Sequence, residues 1–275
     1  MIVWQNGSLI PEEEVRLSPF DTGLTVGKGV FETLLALRGE PFAWTRHYRR
    51  LSEAAHLFSM EIPSSELLRN AVLAVLNANE FKVARVRVTI TGGVGGPGVS
   101  RKGAPTAFVT TTPFVEFPEE AKVCLGGSRD FTGPLDAVKS LSYAENILLM
   151  EDAKRKGFDE ILISNSAGNL IEGSGSNVFV VRQGVVMTPP LSDKCLPGVT
   201  RALVLNLLKK EEWSHREISI PTDDLSEADE IWLTSSTRRI QRVTRLDETS
   251  CGAETPFFDK MRARFDRLML EQIDP

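Results

Sequence analysis

An acidic residue, Glu172, lies inside the segment LIEGSGSNVF, which runs from Leu170 to Phe179. Apolar residues precede Glu172, and another apolar run follows Asn177, so the pattern directs this carboxylate towards the protein interior. Burying an unpaired carboxylate is costly and forces the group either to find a partner or to take up a proton. No lysine or arginine lies between Asn169 and Val181. We therefore expect a cationic partner from elsewhere in the fold or from a bound cofactor.

Lys139, in the segment LDAVKSLSYAENILLM, is a second residue with chemical potential. A lysine at the end of a strand is usually a solvated cation whose alkyl chain covers apolar surface. An aldehyde cofactor held as a Schiff base requires a lysine, however, and a pyridine ring used as an electron sink requires an acid at its nitrogen. Lys139 and Glu172 together therefore indicate pyridoxal phosphate, whose ring cation would be the partner of Glu172.

The loop GVGGPG, from Gly93 to Gly98, matches the dinucleotide pattern GxGxxG. That pattern binds a pyrophosphate only where a helix opens directly after the glycines. The following residues, VSRKGAPTAFV, are too rich in glycine, proline and β-branched side chains for such a helix. We expect either a flexible connection between two strands or a wall over an active site, because glycines let the backbone approach a ligand closely.

The composition is that of a globular protein with a small-molecule ligand. The 275 residues are 41% hydrophobic and 25% charged, which favours two domains. The net charge is −5 without long runs of like charge, so no nucleic-acid or membrane surface is expected. The three cysteines and three histidines lack metal-ligand spacing, and we expect no metal site. No targeting segment or membrane helix is recognisable, which predicts a cytoplasmic protein.

The elements that would carry these residues follow from periodicity and turn signals. Asn6-Gly7 predicts a hairpin turn. Apolar spacing predicts a helix over 45–60 with Thr45 as its N-cap, and a second helix from Ser64 or Ser65 to Ala78. Alternating residues predict strands over 83–91 and 106–114.

The second half of the chain follows a proline-bracketed acidic stretch, which we interpret as a linker. We expect a smaller domain over 1–115, a linker over 116–121 and a larger domain over 122–275. In the larger domain the patterns predict helices over 142–156, 198–210 and 255–272, with strands and a hairpin between them. Hairpins outnumber strand–helix–strand units, so the predicted fold class is α+β.

Three blocks resemble one family. The run from Glu172 to Phe179, followed by V186-M-T188 and then L196-P-G198-V199-T-R201, has the spacing of the class IV aminotransferase signature. VKSLSY resembles the segment of the Schiff-base lysine in that family, and GKGVFETLLALRGEPFAWTRHYRRL resembles its N-terminal block, which ends in HxxRL. These fold-type IV pyridoxal phosphate enzymes include branched-chain and D-amino-acid aminotransferases and aminodeoxychorismate lyase. The resemblance implies an N-terminal α/β sandwich, a C-terminal pseudo-barrel and a homodimer.

The resemblance also implies roles for individual residues. Lys139 would form the Schiff base and act as the catalytic base, and Glu172 would keep the pyridine nitrogen protonated. Arg50, the arginine of HxxRL, would hold the cofactor phosphate, to which a forked guanidinium is well suited. Without that motif, Arg50 would be interpreted as a solvated helix charge.

A second phosphate contact is implied at the start of a helix, where free backbone N–H groups favour an anion. Gly198, Val199 and Thr200 occupy that position. A small hydroxyl residue from TSST would complete the phosphate site, with Ser236 preferred and Ser235 as the alternative. Asn177 would either contact the cofactor or only cap the strand entry.

The substrate pocket separates a lyase from an aminotransferase, and here the sequence is less informative. The glycine spacing and serine of GGVGGPGVS resemble the lyase loop RGxGGRGYS, so we favour conversion of 4-amino-4-deoxychorismate to 4-aminobenzoate and pyruvate. An amino-acid aminotransferase is the alternative, and a non-catalytic pyridoxal phosphate-binding protein is more remote. Pro97 and Lys28 depart from the lyase pattern, while Arg239 and Arg242 depart from the aminotransferase pattern. Arg239 would be a solvated strand residue or would bind a substrate carboxylate.

Overall fold

The computed structural model describes residues 1–95, 103–130, 133–252 and 254–275. The chain divides into two compact units. The first contains Met1–Val115, Val138–Tyr143 and Gln272–Pro275, and the second contains Glu116–Ala137 and Ala144–Glu271. The division into two domains joined by a linker over 116–121 stays a prediction.

The first unit is built on a six-stranded antiparallel sheet with the order β2-β1-β6-β5-β3-β4. The predicted hairpin at Asn6-Gly7 is present, and both residues have positive φ, 47° and 102°, as a type I′ turn requires. The strands are β1 (Ile2–Gln5), β2 (Ser8–Pro11), β3 (Gly29–Leu37), β4 (Glu40–Pro41), β5 (Ala84–Thr91) and β6 (Thr106–Pro113).

The described part of this unit also contains the helices α1 (Thr22–Val26), α2 (Trp44–Leu57) and α3 (Ser65–Ala78). The predicted start of α3 agrees with the structure, where Ser64 is the N-cap and its Oγ accepts the N–H of Leu67 at 3.2 Å. A buried apolar cluster packs α2 and α3 against the sheet, with Leu34, Leu51, Leu68, Val72 and Val86 among its members.

The predicted N-cap of α2 is wrong. Ala43 occupies the cap position with φ +54° and provides no side-chain hydrogen bond. Thr45 instead lies in the first turn, where its N–H donates to the Asp274 carboxylate at 2.9 Å. Ala43 N–H donates to the carbonyl of Ile273 at 2.7 Å. A segment more than 200 positions away along the chain therefore caps this helix.

The second unit contains a nine-stranded mixed sheet. Its order is β12-β11-β10-β13-β14-β7-β8-β9, with β15 paired to β14. The strands are β7 (Glu120–Ser128), β8 (Glu160–Ser164), β9 (Leu170–Gly173), β10 (Asn177–Arg182), β11 (Val185–Thr188), β12 (His215–Glu217), β13 (Glu230–Ser235), β14 (Arg239–Leu246) and β15 (Thr249–Ser250). Residues 174–176 connect one end of this order to a strand near the other end. A connection of three residues reaches at most about 10 Å, so the sheet curves into a half-barrel.

Helices α4 (Ala144–Arg155), α5 (Val199–Lys210) and α6 (Pro256–Glu271) complete the second unit. Each lies within two residues of a predicted helix. An apolar cluster that includes Val123, Leu162, Val178, Ile231 and Leu233 fills the half-barrel. Within the described ranges, no helix combines the length and apolarity that a membrane crossing requires.

Candidate active site

Glu172 is held in place by two hydrogen-bond donors. It lies in β9 and is only 8% exposed. Its Oε2 accepts the backbone N–H of Leu196 at 2.8 Å and the side-chain amide of Asn177 at 3.4 Å. The same amide nitrogen donates to the Leu196 carbonyl at 2.9 Å. The sequence therefore places a buried acid whose orientation is fixed by β10 and by the segment that precedes α5.

The N-terminus of α5 packs directly on this group. Gly198 occupies the N-cap, and no side chain in the described part of the chain caps the helix there. A Cβ added to Gly198 would lie 1.9 Å from Asn177 Oδ1, so only glycine fits this position. The first-turn residues Val199 and Thr200 are buried. Their end of the helix carries the positive end of the macrodipole.

The end of β13 is the third component of this cluster. Thr234 pairs with Asn177 across the ladder between β10 and β13. Thr234 Oγ1 is buried and makes no hydrogen bond within the described residues. Ser235 Oγ accepts the N–H of Arg238 at 3.2 Å, and Ser236 follows at the turn. The structure thus brings together Glu172, Asn177 and the α5 N-terminus, and it pairs Asn177 with the strand whose end carries the two serines.

A second buried acid, Glu160, lies at the start of β8 and is fully buried. It accepts hydrogen bonds from the hydroxyls of Ser174 and Ser176 and is paired with Arg238. Glu160 is not among the site residues predicted from the sequence. The segment DEILIS could have indicated it, because an acid at the start of an apolar strand, like the acid in LIEG, becomes buried and needs a partner.

In the first unit, Arg50 belongs to a buried polar cluster. Its guanidinium makes a forked contact with Glu32, with Nε 2.7 Å from Oε1 and Nη2 2.7 Å from Oε2. His47 Nδ1 lies 2.6 Å from Glu32 Oε2. Arg50 and His47 are three positions apart on α2 and so share one face. Because Arg50 is only 9% exposed, it is not a solvated helix charge.

Burial and charge determine the protonation of this cluster. Burial acts to raise the pKa of Glu32, but Arg50 and His47 outweigh it and lower that pKa to about 2. Burial lowers the pKa of His47; Glu32 opposes this effect, and the positive charges of Arg50 and Lys139 add to it. At neutral pH the carboxylate is therefore ionised and His47 is neutral, with its Nδ1 proton donated to Glu32.

Lys139 lies beside β3 in the first unit. Its carbonyl accepts the N–H of Phe31 at 3.0 Å, and its neighbour Ser140 forms a bridge with Val30. The Lys139 ammonium lies 4.6 Å from the ring centroid of Phe31 and 5.2 Å from that of Tyr143. These distances allow cation–π contacts, so the backbone and two aromatic rings position the lysine.

The remaining predicted residues lie in other surroundings. Arg239 is 3.2 Å from Glu116 and 3.8 Å from Asp266, so it is held in ion pairs on β14. Arg242 pairs with Glu120 on the neighbouring strand. The lyase-like loop lies mostly outside the described residues, Pro97 included.

Each unit carries donors of the kinds that pyridoxal phosphate requires. In the second unit, a fixed buried carboxylate suits a protonated pyridine nitrogen and the N-terminus of α5 suits a phosphate; in the first unit, a lysine amine suits the aldehyde. Two features lie next to Asn177: Gly198, where a Cβ would clash with Asn177 Oδ1, and the buried Thr234 hydroxyl, which makes no hydrogen bond within the described residues. Among the described residues, no group of three or more His, Cys, Asp or Glu side chains is arranged to hold a metal ion.

Comparison with known proteins gives concordant findings. The sequence profile of the amino-transferase class IV family matches residues 29–246. A protein of Methanocaldococcus jannaschii named as a putative branched-chain-amino-acid aminotransferase is 34% identical over 259 residues, covering 90% of this chain and 88% of its own.

Solved structures agree with this match. The branched-chain aminotransferase of Thermoproteus uzoniensis, solved with norvaline, superimposes with a TM-score of 0.92 at 28% identity, covering 98% of this chain and 95% of its own. A putative 4-amino-4-deoxychorismate lyase of Legionella pneumophila gives a TM-score of 0.89 at 23% identity, covering 93% and 96%, which establishes a shared fold only. The predicted α+β fold, with an N-terminal α/β sandwich and a C-terminal pseudo-barrel, is thereby confirmed.

Proposed function

Because the chain belongs to the class IV aminotransferase family, whose members are pyridoxal-phosphate enzymes, we propose that it transfers the amino group of a branched-chain amino acid to a 2-oxo acid. The observation that carries this choice is the 34% identity, over nine-tenths of the chain, to a protein named as a putative branched-chain aminotransferase. The choice reverses the preference for a lyase that the glycine loop alone suggested.

When bound, pyridoxal phosphate supplies an aldehyde that bonds covalently to amines and a ring that accepts the electrons of a substrate Cα–H bond. We assign the covalent attachment to Lys139 and the contact with the pyridine nitrogen to Glu172. The Leu196 N–H and the Asn177 amide support the second role, because donors to Glu172 Oε2 stabilise the ionised carboxylate. An ionised acid there keeps the ring nitrogen protonated.

The phosphate contacts are assigned to two parts of the chain. The first-turn N–H groups of α5, at Val199 and Thr200, offer donors and the positive end of the helix dipole. For the hydroxyl contact, the family pattern favours Ser236, with Ser235 as the alternative. Arg50 would be the charged ligand, and its forked contact with Glu32 holds the guanidinium in one orientation.

Proton transfer is assigned to Lys139. A free lysine amine has a pKa near 10.4 and is largely protonated at neutral pH. Covalent attachment to the cofactor would mask this amine, and its release by the substrate amine would leave Lys139 Nζ beside the substrate Cα as the general base that takes the Cα proton. Lys139→Ala removes both the covalent attachment and this proton transfer, so turnover is lost.

The assay uses protein loaded with pyridoxal phosphate, and 2-oxoglutarate as the amino acceptor. The amino donors are tested one at a time: L-leucine, L-isoleucine, L-valine and D-alanine. Glutamate formation from the branched-chain donors, absent in Lys139→Ala, is the expected result. Borohydride reduction followed by peptide mapping should place the pyridoxyl label on Lys139. A label on another lysine, or turnover with D-alanine alone, contradicts the proposal.

Aminodeoxychorismate lyase is the second candidate, and the glycine spacing of GGVGGPGVS is the observation that favours it. Its test is separate, because a lyase needs no 2-oxo acid. Incubation with aminodeoxychorismate alone, followed by measurement of 4-aminobenzoate and pyruvate, would give equal amounts of both products over many turnovers. A protein that binds pyridoxal phosphate but is inactive in both assays would be the non-catalytic alternative.

We also propose a homodimer and a cytoplasmic location, as the family resemblance and the sequence imply. Sedimentation equilibrium should give twice the chain mass of 30.4 kDa. A monomer mass at micromolar concentration would contradict the dimer.

A further inference from the structure

Glu160 accepts hydrogen bonds from the loop that joins β9 to β10. We refer to residues 173–177 as the acid loop, because it directly follows Glu172. The carboxylate accepts the hydroxyls of Ser174 and Ser176, the latter at 3.1 Å, and the N–H of Gly175 at 3.3 Å. Each of the three central residues of the acid loop thus contacts the same buried acid.

The charge of Glu160 is balanced from a different part of the chain. Arg238 Nη2 lies 3.1 Å from Glu160 Oε2, and Arg238 is itself only 8% exposed. Its Nη1 donates to Gln241 Oε1 at 2.7 Å, and its backbone N–H donates to Ser235 Oγ. We refer to residues 235–238 as the serine turn. Arg238 thereby connects the serine turn to the carboxylate that holds the acid loop.

A buried ion pair of this kind is costly to desolvate and is stable only when hydrogen bonds satisfy both partners. Here the Glu160 carboxylate accepts the hydroxyls of Ser174 and Ser176, the N–H of Gly175 and the Arg238 guanidinium. The guanidinium in turn donates to Glu160, to the Gln241 side chain and to a backbone carbonyl. Removing one partner leaves the other buried and uncompensated, so the two segments cannot move independently without a large penalty. The arrangement therefore acts as a rigid connection between them.

We propose that Glu160 and Arg238 are positioning residues that hold the acid loop and the serine turn in a single arrangement ready for the cofactor. The acid loop carries Asn177, which orients Glu172, and the serine turn carries the hydroxyls assigned to the phosphate. Neither Glu160 nor Arg238 contacts the cofactor in this proposal. The inference rests on the proposed function for the identity of the ligand, but the connection between the segments does not depend on it.

The test combines hydrogen exchange with cofactor titration. Arg238→Met keeps the length of the side chain and removes its charge. The substitution lies in the serine turn, whereas hydrogen exchange is measured in the acid loop. Glu230→Gln is the matched control, because Glu230 is an equally buried carboxylate of the same unit that instead binds Trp232 Nε1 and the N–H groups of Phe257 and Phe258.

In Arg238→Met we expect the amides of 173–177 to exchange at least tenfold faster in the cofactor-free protein. We expect the Kd for pyridoxal phosphate to rise about tenfold. This is the lower end of the loss in affinity that metal sites show when an outer-shell hydrogen bond is removed. Arg238→Lys, which retains the charge, should recover part of both effects. Glu230→Gln should lower thermal stability and change neither reading.

Faster exchange confined to residues near 238, or a Kd within twofold of the wild-type value, would overturn the proposal. Ser176→Ala removes a single hydroxyl donor and is judged by the same two criteria should Arg238→Met not fold. Failure of the proposed function is a different result, because wild-type protein would then form no glutamate from the amino-acid donors, while the exchange rates and the cofactor Kd of wild type and Arg238→Met could still be compared.

Discussion

The ionised Glu32 should make the stability of the protein depend on pH in a predictable range. Its pKa is lowered from 4.5 to about 2 in the folded protein. At about 1.4 kcal/mol for each tenfold change in acid dissociation constant, this difference corresponds to about 3 kcal/mol. Because the folded pKa is the lower one, the contribution is complete above about pH 4.5 and is lost as the pH falls towards 2. About 2 kcal/mol of it should be lost by pH 3.

The test compares wild-type protein with Glu32→Gln by urea denaturation between pH 3 and pH 7. At pH 7 the variant leaves Arg50 buried without its carboxylate and should be less stable by about 3–5 kcal/mol. This difference should shrink by about 2 kcal/mol as the pH falls from 5 to 3. Glu40→Gln is the control, because Glu40 pairs with Arg69 at 2.8 Å on the surface and contributes at most about 1 kcal/mol. A difference that stays constant across this pH range would refute the ionised state assigned to Glu32.

Four further expectations follow from the same contacts. His47 has a lowered pKa, so its contribution to stability is complete above about pH 6.5 and declines below it; His47→Gln should remove that part of the pH dependence in the same urea series. Gly198→Ala brings a methyl group within 1.9 Å of Asn177 Oδ1 and should cost about 1–3 kcal/mol in urea denaturation, whereas Gly133→Ala, with 3.7 Å to its nearest neighbour, should cost little. Asp274→Ala removes the acceptor for Thr45 and should lower the free energy of unfolding by about 1 kcal/mol, and an unchanged midpoint would show that the cap is not needed. Burial raises the pKa of Cys195 to about 12, so iodoacetamide at pH 8 should label it only in unfolded protein, as peptide mapping would reveal.

Local signals predicted the elements that local interactions determine. The hairpin at Asn6-Gly7 and the capped start of α3 depend on residues within four positions of each other. The strand β3 was not predicted, because GVFETLLAL is buried on both faces and does not alternate. Strand β7 begins at Glu120, inside the stretch interpreted as a linker, because the alternation in EAKVCL starts directly after the prolines that indicate a linker.

The candidate site was predicted in so far as its residues belong to continuous motifs. Glu172, Asn177 and Gly198 fall within one signature, and the structure places them in contact. The partners of Arg50 and the pair formed by Glu160 and Arg238 were missed, because their contacts join positions that are 18 and 78 residues apart. Thr45 was misassigned for the same reason, since its partner Asp274 lies 229 residues away.

That distant cap has a consequence for the order in which the protein is made. Helix α2 carries His47 and Arg50, and its first turn is completed only by residues 273 and 274. During synthesis on the ribosome, the N-terminal segment emerges first and must wait for almost the whole chain before this helix end is satisfied. Segment Val138–Tyr143, which brings Lys139 to β3, arrives midway. Translation therefore delivers the lysine before the arginine helix is finished, and a partly made chain lacks a complete first unit.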